Sequence, residues 1–367
     1  MKRDRRNFLK IIGGGTIVAA SGIGVFLGTR TPSKALEPWH LAGNYDDFRR
    51  KALSYALLAP NPHNRQPWEV DLSQGDKVII YRDPTRNLPE TDPHDRQLTI
   101  GMGCFLELLK IAASQTGHLV TYELFPEGES GPVAIATFNE GATPDPLFAH
   151  VLNRRSCKEP FAPKPVEPAL LEKLPGFAMT VTDTGTVETL RNLTWEAWKT
   201  ETYLPRTMKE SVDLFRIGKA EINANPDGID LGGPFLETLS VLGILTREAQ
   251  MDPNSSAFTQ GVEIYREMLL ATPAYVWLKS AGNTRSDQIA AGGQWLRLNL
   301  ATTSLGLSLH PVSQALQEYP EMAEHYQAIH ALLAKPGETI QMLGRLGYGP
   351  QIPPSPRWPL EKKLRDA

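Results

Sequence analysis

Cysteine is nearly absent: Cys104 and Cys157 are the only two in 367 residues. At most one bridge could form, which excludes a disulfide-built scaffold, and no Cys/His spacing fits a zinc site. An excess of positive charge is also missing. The formal net charge is -3; the first 35 residues carry +6 through Lys2, Arg3, Arg5, Arg6, Lys10, Arg30 and Lys34 against Asp4, which leaves -9 for the rest. So acidic a body excludes a nucleic-acid partner, though a local basic pocket for one phosphate stays open. There is no strong Leu-rich span, no Ser-His-Asp arrangement and no Gly-rich nucleotide loop, since Gly13-Gly14-Gly15 belongs to a mild uncharged stretch over 11–29. The remainder is ordinary for a globular chain, with 41% hydrophobic and 22% charged residues and enough length for two or three domains.

The most distinctive stretch is Ala59-Pro60-Asn61-Pro62-His63-Asn64-Arg65-Gln66-Pro67-Trp68. Three prolines in ten residues exclude a helix interior or a central strand. Each fixes its own φ and extends the residue before it. The outcome is a stiff loop presenting Asn61, His63, Asn64 and Gln66, whose amides both donate and accept. Such a loop suits either a helix-capping turn or the edge of a flat heterocycle.

Around it the pattern is α+β. A helix capped by Asn44 leads into the loop. A hairpin is expected over 68–72 and 78–82, turning at Gln74-Gly75-Asp76. A core helix over 100–116 ends at Gly117, followed by strands over 119–125 and 133–138 and a short helical run over 147–153. Beyond a Pro-rich linker, residues 185–285 are mostly helical, with an irregular insertion over 223–233 of the kind that forms lids or binding loops. A strand over 274–279, a second core helix over 287–305 closed by Gly306, and a last strand over 339–346 complete the chain. Aligning Gly103 with Gly292 also pairs Leu109 with Leu298, Ala112 with Ala301 and Gly117 with Gly306, a faint internal repeat.

Arg154-Arg155-Ser156-Cys157-Lys158 places three cations and a hydroxyl in five residues. It is either a solvated basic turn or a phosphate site, for which Arg supplies a planar fork of charge-assisted donors. The tail adds Ser355-Pro356-Arg357 after Gly347-Tyr348-Gly349, and Arg345 is a second cation in the last strand.

The loop, the cation box and the tail together resemble the nitroreductase family, flavoproteins that bind FMN at a subunit interface. The resemblance covers most of 44–360 outside 200–285 and is nearest to the two-lobed, Acg-like branch, where one chain carries both halves of a homodimer. It implies an α+β nitroreductase-like fold with a first lobe over 44–152 and a second over 153–360, the latter carrying a helical insertion over 200–285. It implies FMN, with Arg154 and Ser156 on the phosphate, Lys158 near the ring, and Arg357 closing on the phosphate. Pro60, Asn61, Pro62 and Asn64 would line the cofactor, and His63 and Gln66 the substrate side. Pro311, Val312 and Ser313 stand where the family approaches flavin N5, although the family's Glu-Gly pair is Ser313-Gln314 here. One loop and one box make one complete site, and the insertion is a candidate to fill the mirror-related space. The chemistry implied is flavin-based, with no obligate catalytic side chain, and no metal is called for. The donor would be a quinone or redox protein, since an exported protein meets little NAD(P)H, and the acceptor a small molecule. Holding FMN without turnover is the alternative.

Export is the last expectation. Arg5-Arg6-Asn7-Phe8-Leu9-Lys10 resembles the box of twin-arginine signals, followed by the uncharged stretch and by Ser33-x-Ala35, small residues suited to cleavage. This implies a signal peptide over 1–35, the twin-arginine translocase as a partner, and a periplasmic protein, membrane-anchored if the signal is kept.

Overall fold

The structure, a computed structural model, describes residues 30–365. The twin-arginine box and the uncharged stretch lie outside the described residues. The chain enters through α1 (Ser33–Leu41) and α2 (Phe48–Ala56). The cap of α2 is Asp47 rather than Asn44: its carboxylate accepts the N–H groups of Arg49 and Arg50, a charge well placed at a helix N-terminus.

The fold is α+β, with two four-stranded antiparallel sheets. The first is built from β1 (Trp68–Asp71), β2 (Lys77–Arg82), β3 (His118–Leu124) and β4 (Ala134–Glu140) in the order β1-β2-β4-β3. The expected hairpin is β1–β2, with Trp68 opposite Arg82. Between β2 and β3 runs α3 (Arg96–Ser114), buried on nearly every side. It starts four residues earlier than its apolar run suggests, because the buried Asp92 carboxylate accepts the N–H groups of Gln97 and Leu98. Gly117 takes φ +78° after it, a conformation that costs glycine no Cβ clash.

The second half opens with β5 (Met179–Val181) and α4 (Thr184–Tyr203). A long excursion follows: α5 (Pro205–Asp213), β6 (Phe215–Ile217), α6 (Gly218–Ala224), β7 (Ile229–Leu231), α7 (Pro234–Val241), α8 (Arg247–Met251) and α9 (Ser256–Leu270). Here β6 and β7 pair in parallel, so the stretch is not purely helical. The chain returns through β8 (Ala274–Ser280), α10 (Arg285–Ser304), β9 (Ser308–Pro311), α11 (Ala323–Leu333) and β10 (Thr339–Gly347). The second sheet has the order β5-β8-β10-β9. In each sheet the strand before the long helix pairs with the last strand, which pairs in turn with the strand after the helix.

The two long helices cross at the glycines that the repeat aligns. A Cβ on Gly103 would stand 2.2 Å from the Ile289 carbonyl oxygen, and one on Gly292 would stand 2.0 Å from that of Ile100. The same offset that carries Gly103 to Gly292 carries Ile100 to Ile289, so each half makes the other's contact in reverse. That reciprocity is the signature of an isologous two-fold contact, here within one chain.

Candidate cofactor site

The loop between α2 and β1 holds three non-glycine residues at positive φ: His63 (47°), Asn64 (50°) and Gln66 (49°). Left-handed backbone costs roughly 1–2 kcal/mol per residue, so the loop must be held from outside. The Asn61 side-chain oxygen accepts the Gln66 N–H at 2.7 Å. Gln66 Nε2 donates to the Pro226 carbonyl at 2.7 Å, and Gln66 Oε1 accepts the Trp358 N–H at 2.9 Å. The Gly228 N–H donates to the Asn64 carbonyl, and Asn64 Nδ2 donates to that of Pro356. Beneath it, a Cβ on Gly101 of α3 would come within 3.1 Å of Asn61 and Pro62. Excursion and tail thus clamp the loop onto α3.

These bonds revise two roles. Gln66, expected on the substrate side, is fully buried with both ends of its amide engaged; it is the knot that ties loop, excursion and tail. Asn61 likewise latches the loop on itself, its Nδ2 donating to the Ala59 carbonyl. His63 stays half-buried beside the box. Its Nδ1 has no partner, and burial, aided by the charges of Lys158 and Arg65, lowers its pKa to about 4, so the ring is neutral near pH 7.

Arg154 and Arg357 meet below the loop. Both are buried, and both donate to the Leu58 carbonyl, at 2.9 and 3.2 Å. Arg154 also donates to Asn299 Oδ1 on α10 at 2.9 Å. Neither forms an ion pair with a carboxylate among the described residues. Burial lowers Arg154 to about 10 and Arg357 to about 9, the latter helped by the charges of Arg154 and Arg155. The Trp39 ring of α1 lies under the Arg155 and Arg357 guanidinium groups at 4.8 and 5.7 Å, within cation–π range.

Arg357 departs from its expected role as a phosphate clamp. Its Nε donates to Leu57 O, its Nη1 to Asn64 Oδ1 and Pro356 O, and its Nη2 to Leu58 O and Ala59 O. A guanidinium has five N–H groups, and these bonds engage them all. Arg357 therefore closes the C-terminal end of α2 and positions Asn64. Arg345, the second cation of the last strand, is buried too: it donates to Thr272 Oγ1 and to His310 Nδ1 and lies over Phe161 at 4.2 Å.

Ser156 is half-buried and Lys158 exposed, and the Cys157 N–H donates to the Leu309 carbonyl, which fastens the box to β9. The charge of Lys158 acts on four groups that the sequence did not bring together: His63, His310, Glu201 and Asp230. Arg345 can only donate, so His310 accepts at Nδ1 and, being held neutral by burial, carries its proton on Nε2. Burial raises Glu201 to about 7; its Oε2 accepts from Gln317 Nε2 at 2.5 Å. Gln317 Oε1 and the Tyr319 hydroxyl are buried without partners. The N5-edge expectation fares unevenly: Pro311 has no N–H, Val312 donates its own to the Leu343 carbonyl, and the Ser313 hydroxyl donates to Gln97 Oε1.

A groove of about 640 Å³ lies elsewhere, between α3, β3 and α10, with Leu106, Glu107, Leu119, Ile289 and Arg297 on its walls. Under the repeat it is the counterpart of the region near Asn299, Gly101 and β9 that carries loop and box. No residue from 200–285 lines it, so the excursion packs on the loop side and does not fill the mirror space. In the groove Arg297 binds Glu107 at 2.5 Å and Asp145 at 2.7 Å, a cation already neutralised.

No family model matches the chain. Over 125 residues it is 28% identical to the "Putative NAD(P)H nitroreductase acg" of Mycobacterium tuberculosis strain H37Rv. That match takes in 32% of this chain and 37% of the relative, so the chain spans little more than a third of the curated protein it matches. Among solved structures, the FMN-dependent nitroreductase NfnB of Mycobacterium smegmatis in complex with NADPH aligns at 16% identity over 60% of this chain and 98% of its own, with a TM-score of 0.37. A "putative nitroreductase" of Anabaena variabilis aligns at 11% identity over 86% and 91%, with a TM-score of 0.42.

Proposed function

We propose that the chain is an FMN-binding oxidoreductase of the nitroreductase type, with one site built between its two halves. The observation that carries this reading is the buried Arg154 beside Arg357, cations without a carboxylate among the described residues, below a strained loop that carries the orphaned His63 Nδ1. Unpartnered buried polar atoms cost about 1–3 kcal/mol each, and a polar, anionic ligand answers both deficits. The similarity to the mycobacterial nitroreductase supports the same chemistry.

In this reading Arg154 and Ser156 hold the phosphate. Arg357, Gln66 and Asn61 position the loop whose prolines cover the cofactor. Lys158 supplies positive charge at the ring's edge, and neutral His63 and His310 offer hydrogen bonds without competing charge. FMN, when bound, supplies two-electron hydride transfer, and the protein contributes position and electrostatics. The acceptor is a small molecule. The resemblance of Arg5-Arg6-Asn7-Phe8-Leu9-Lys10 to a twin-arginine signal supports export, and outside the cytoplasm the donor would be a quinone or redox protein.

A second reading has an observation of its own. Pro226 and Gly228 bond directly to the loop, and a cofactor sealed under that contact would be held without turnover. One experiment separates the two. The purified chain should show a flavin spectrum, and bleaching by NADPH or a reduced quinone without oxygen should mark turnover. A spectrum that no donor bleaches favours holding, and a colourless protein that takes up no FMN removes both.

A further inference from the structure

The expected cleavage site Ser33-x-Ala35 is part of the folded body. Ser33 opens α1, and Ala35 is 1% exposed. The Ala35 N–H donates to Asn223 Oδ1 at 3.0 Å, and its carbonyl accepts the Arg357 N–H at 2.9 Å. Four residues on, Trp39 lies beneath Arg155 and Arg357 and donates from Nε1 to the Ser355 carbonyl at 2.8 Å. Proteolytic cuts fall in exposed, loosely held segments; this one is helical, and although Ser33 and Lys34 are exposed, Ala35 is buried and its backbone is bonded at both N–H and carbonyl. Cutting after Ala35 would unwind α1 and free the backbone of Arg357. A chain exported after folding would present no such site to a peptidase.

The point at which the leader joins the body is also fixed. Arg30 pairs with Glu237 on α7 at 3.0 Å, and Glu237 also accepts the Lys219 N–H. A cleft of about 350 Å³ lies between Arg30, α6 and α7. The end of α7 and the turn after it are apolar and face outward: Val241 is 84% exposed, Leu242 66% and Ile244 42%. Adjoining apolar side chains this open mark a surface that meets something. The uncharged stretch over 11–29 ends one residue before Arg30 and is about long enough to cross a bilayer.

We propose that the leader is retained as a membrane anchor and that the turn 241–244 rests on the bilayer that holds it. Whatever membrane takes up residues 11–29 lies within a few residues of Arg30, and Arg30 is bonded to the helix that ends in this turn. The partner is therefore a lipid surface, touched by Val241, Leu242 and Ile244 in the manner of a shallow interfacial contact. The inference rests on the leader entering a membrane and is independent of flavin.

The test uses the full chain. Its N-terminus, read by intact mass from the membrane fraction after alkaline carbonate washing, should still include residues upstream of Arg30. Cys104 and Cys157 are buried, so Leu242→Cys gives one reactive thiol for an environment-sensitive fluorophore. In vesicles of phosphatidylethanolamine and phosphatidylglycerol its emission should shift to the blue, whereas the same label at Leu332→Cys on α11 should not shift. A mature chain beginning at Leu36 overturns the proposal, as does identical emission at the two positions. Flavin absorbance measured on the same samples reports separately on the cofactor reading.

Discussion

Arg154 and Arg357 share the Leu58 carbonyl but differ in what they have left to give. Arg154 bonds to two acceptors and keeps donors in hand, whereas Arg357 is saturated. Arg154→Ala is expected to weaken FMN roughly ten- to a hundred-fold, the loss of a charge-assisted contact of about 1.5–3 kcal/mol, and to leave riboflavin, which lacks the phosphate, unchanged. Arg357→Ala should weaken both ligands alike, because it releases Asn64 and the loop. Titrating the two flavins against the two variants checks the assignment. Glu201 gives a pH signature. Its carboxyl is raised from 4.5 to about 7, first by burial and then by Glu210, while Gln317, Gln314 and Lys158 pull it down. With the folded value above the unfolded one, its contribution is complete below about 4.5 and is lost as pH rises through about 7. The wild type should therefore lose up to about 3 kcal/mol relative to Glu201→Gln across that window, as urea midpoints at the two ends would show. The loop's amides were legible in the sequence as a group, but their partners were not: Pro226, Pro356 and Trp358 come from far along the chain, and no local pattern announces which carbonyl an amide will meet.

Among the elements, the crossing of α3 and α10 carries the sharpest expectation. Gly292→Ala would drive a methyl into the Ile100 carbonyl and should cost about 1–3 kcal/mol, reduced by the better helix propensity of alanine. Its neighbour is the control, since a Cβ on Gly293 meets nothing nearer than the Glu107 side chain at 3.4 Å. Gly293→Ala should leave stability unchanged or raise it by up to ~1 kcal/mol. Chemical denaturation of the two variants settles the comparison. Long apolar helices ended by glycine and the β1–β2 hairpin could be read directly, because periodicity and turn chemistry are local. The strands β5 and β9 could not: three or four residues hold no period, and tertiary pairing with β8 and β10 makes them strands. The excursion's β6–β7 pair was hidden for the same reason.

For the whole molecule, one loop and one box predict one FMN per chain, retained by a monomer. Flavin released by denaturation should approach one equivalent per chain; two equivalents, or flavin bound only by a dimer, would contradict the single site. The repeat was faint in the sequence because only residues at the crossing and the helix ends are constrained to match, while the sheets keep their order with different side chains. Joining both halves in one chain has a genetic consequence. In a homodimer every substitution appears twice, once at each of two equivalent sites, so neither can change alone. Here positions 103 and 292 are encoded separately. One half is free to keep Asn299 for Arg154 while the other fills the matching groove with Arg297, Glu107 and Asp145, and selection can act on either face without disturbing its counterpart.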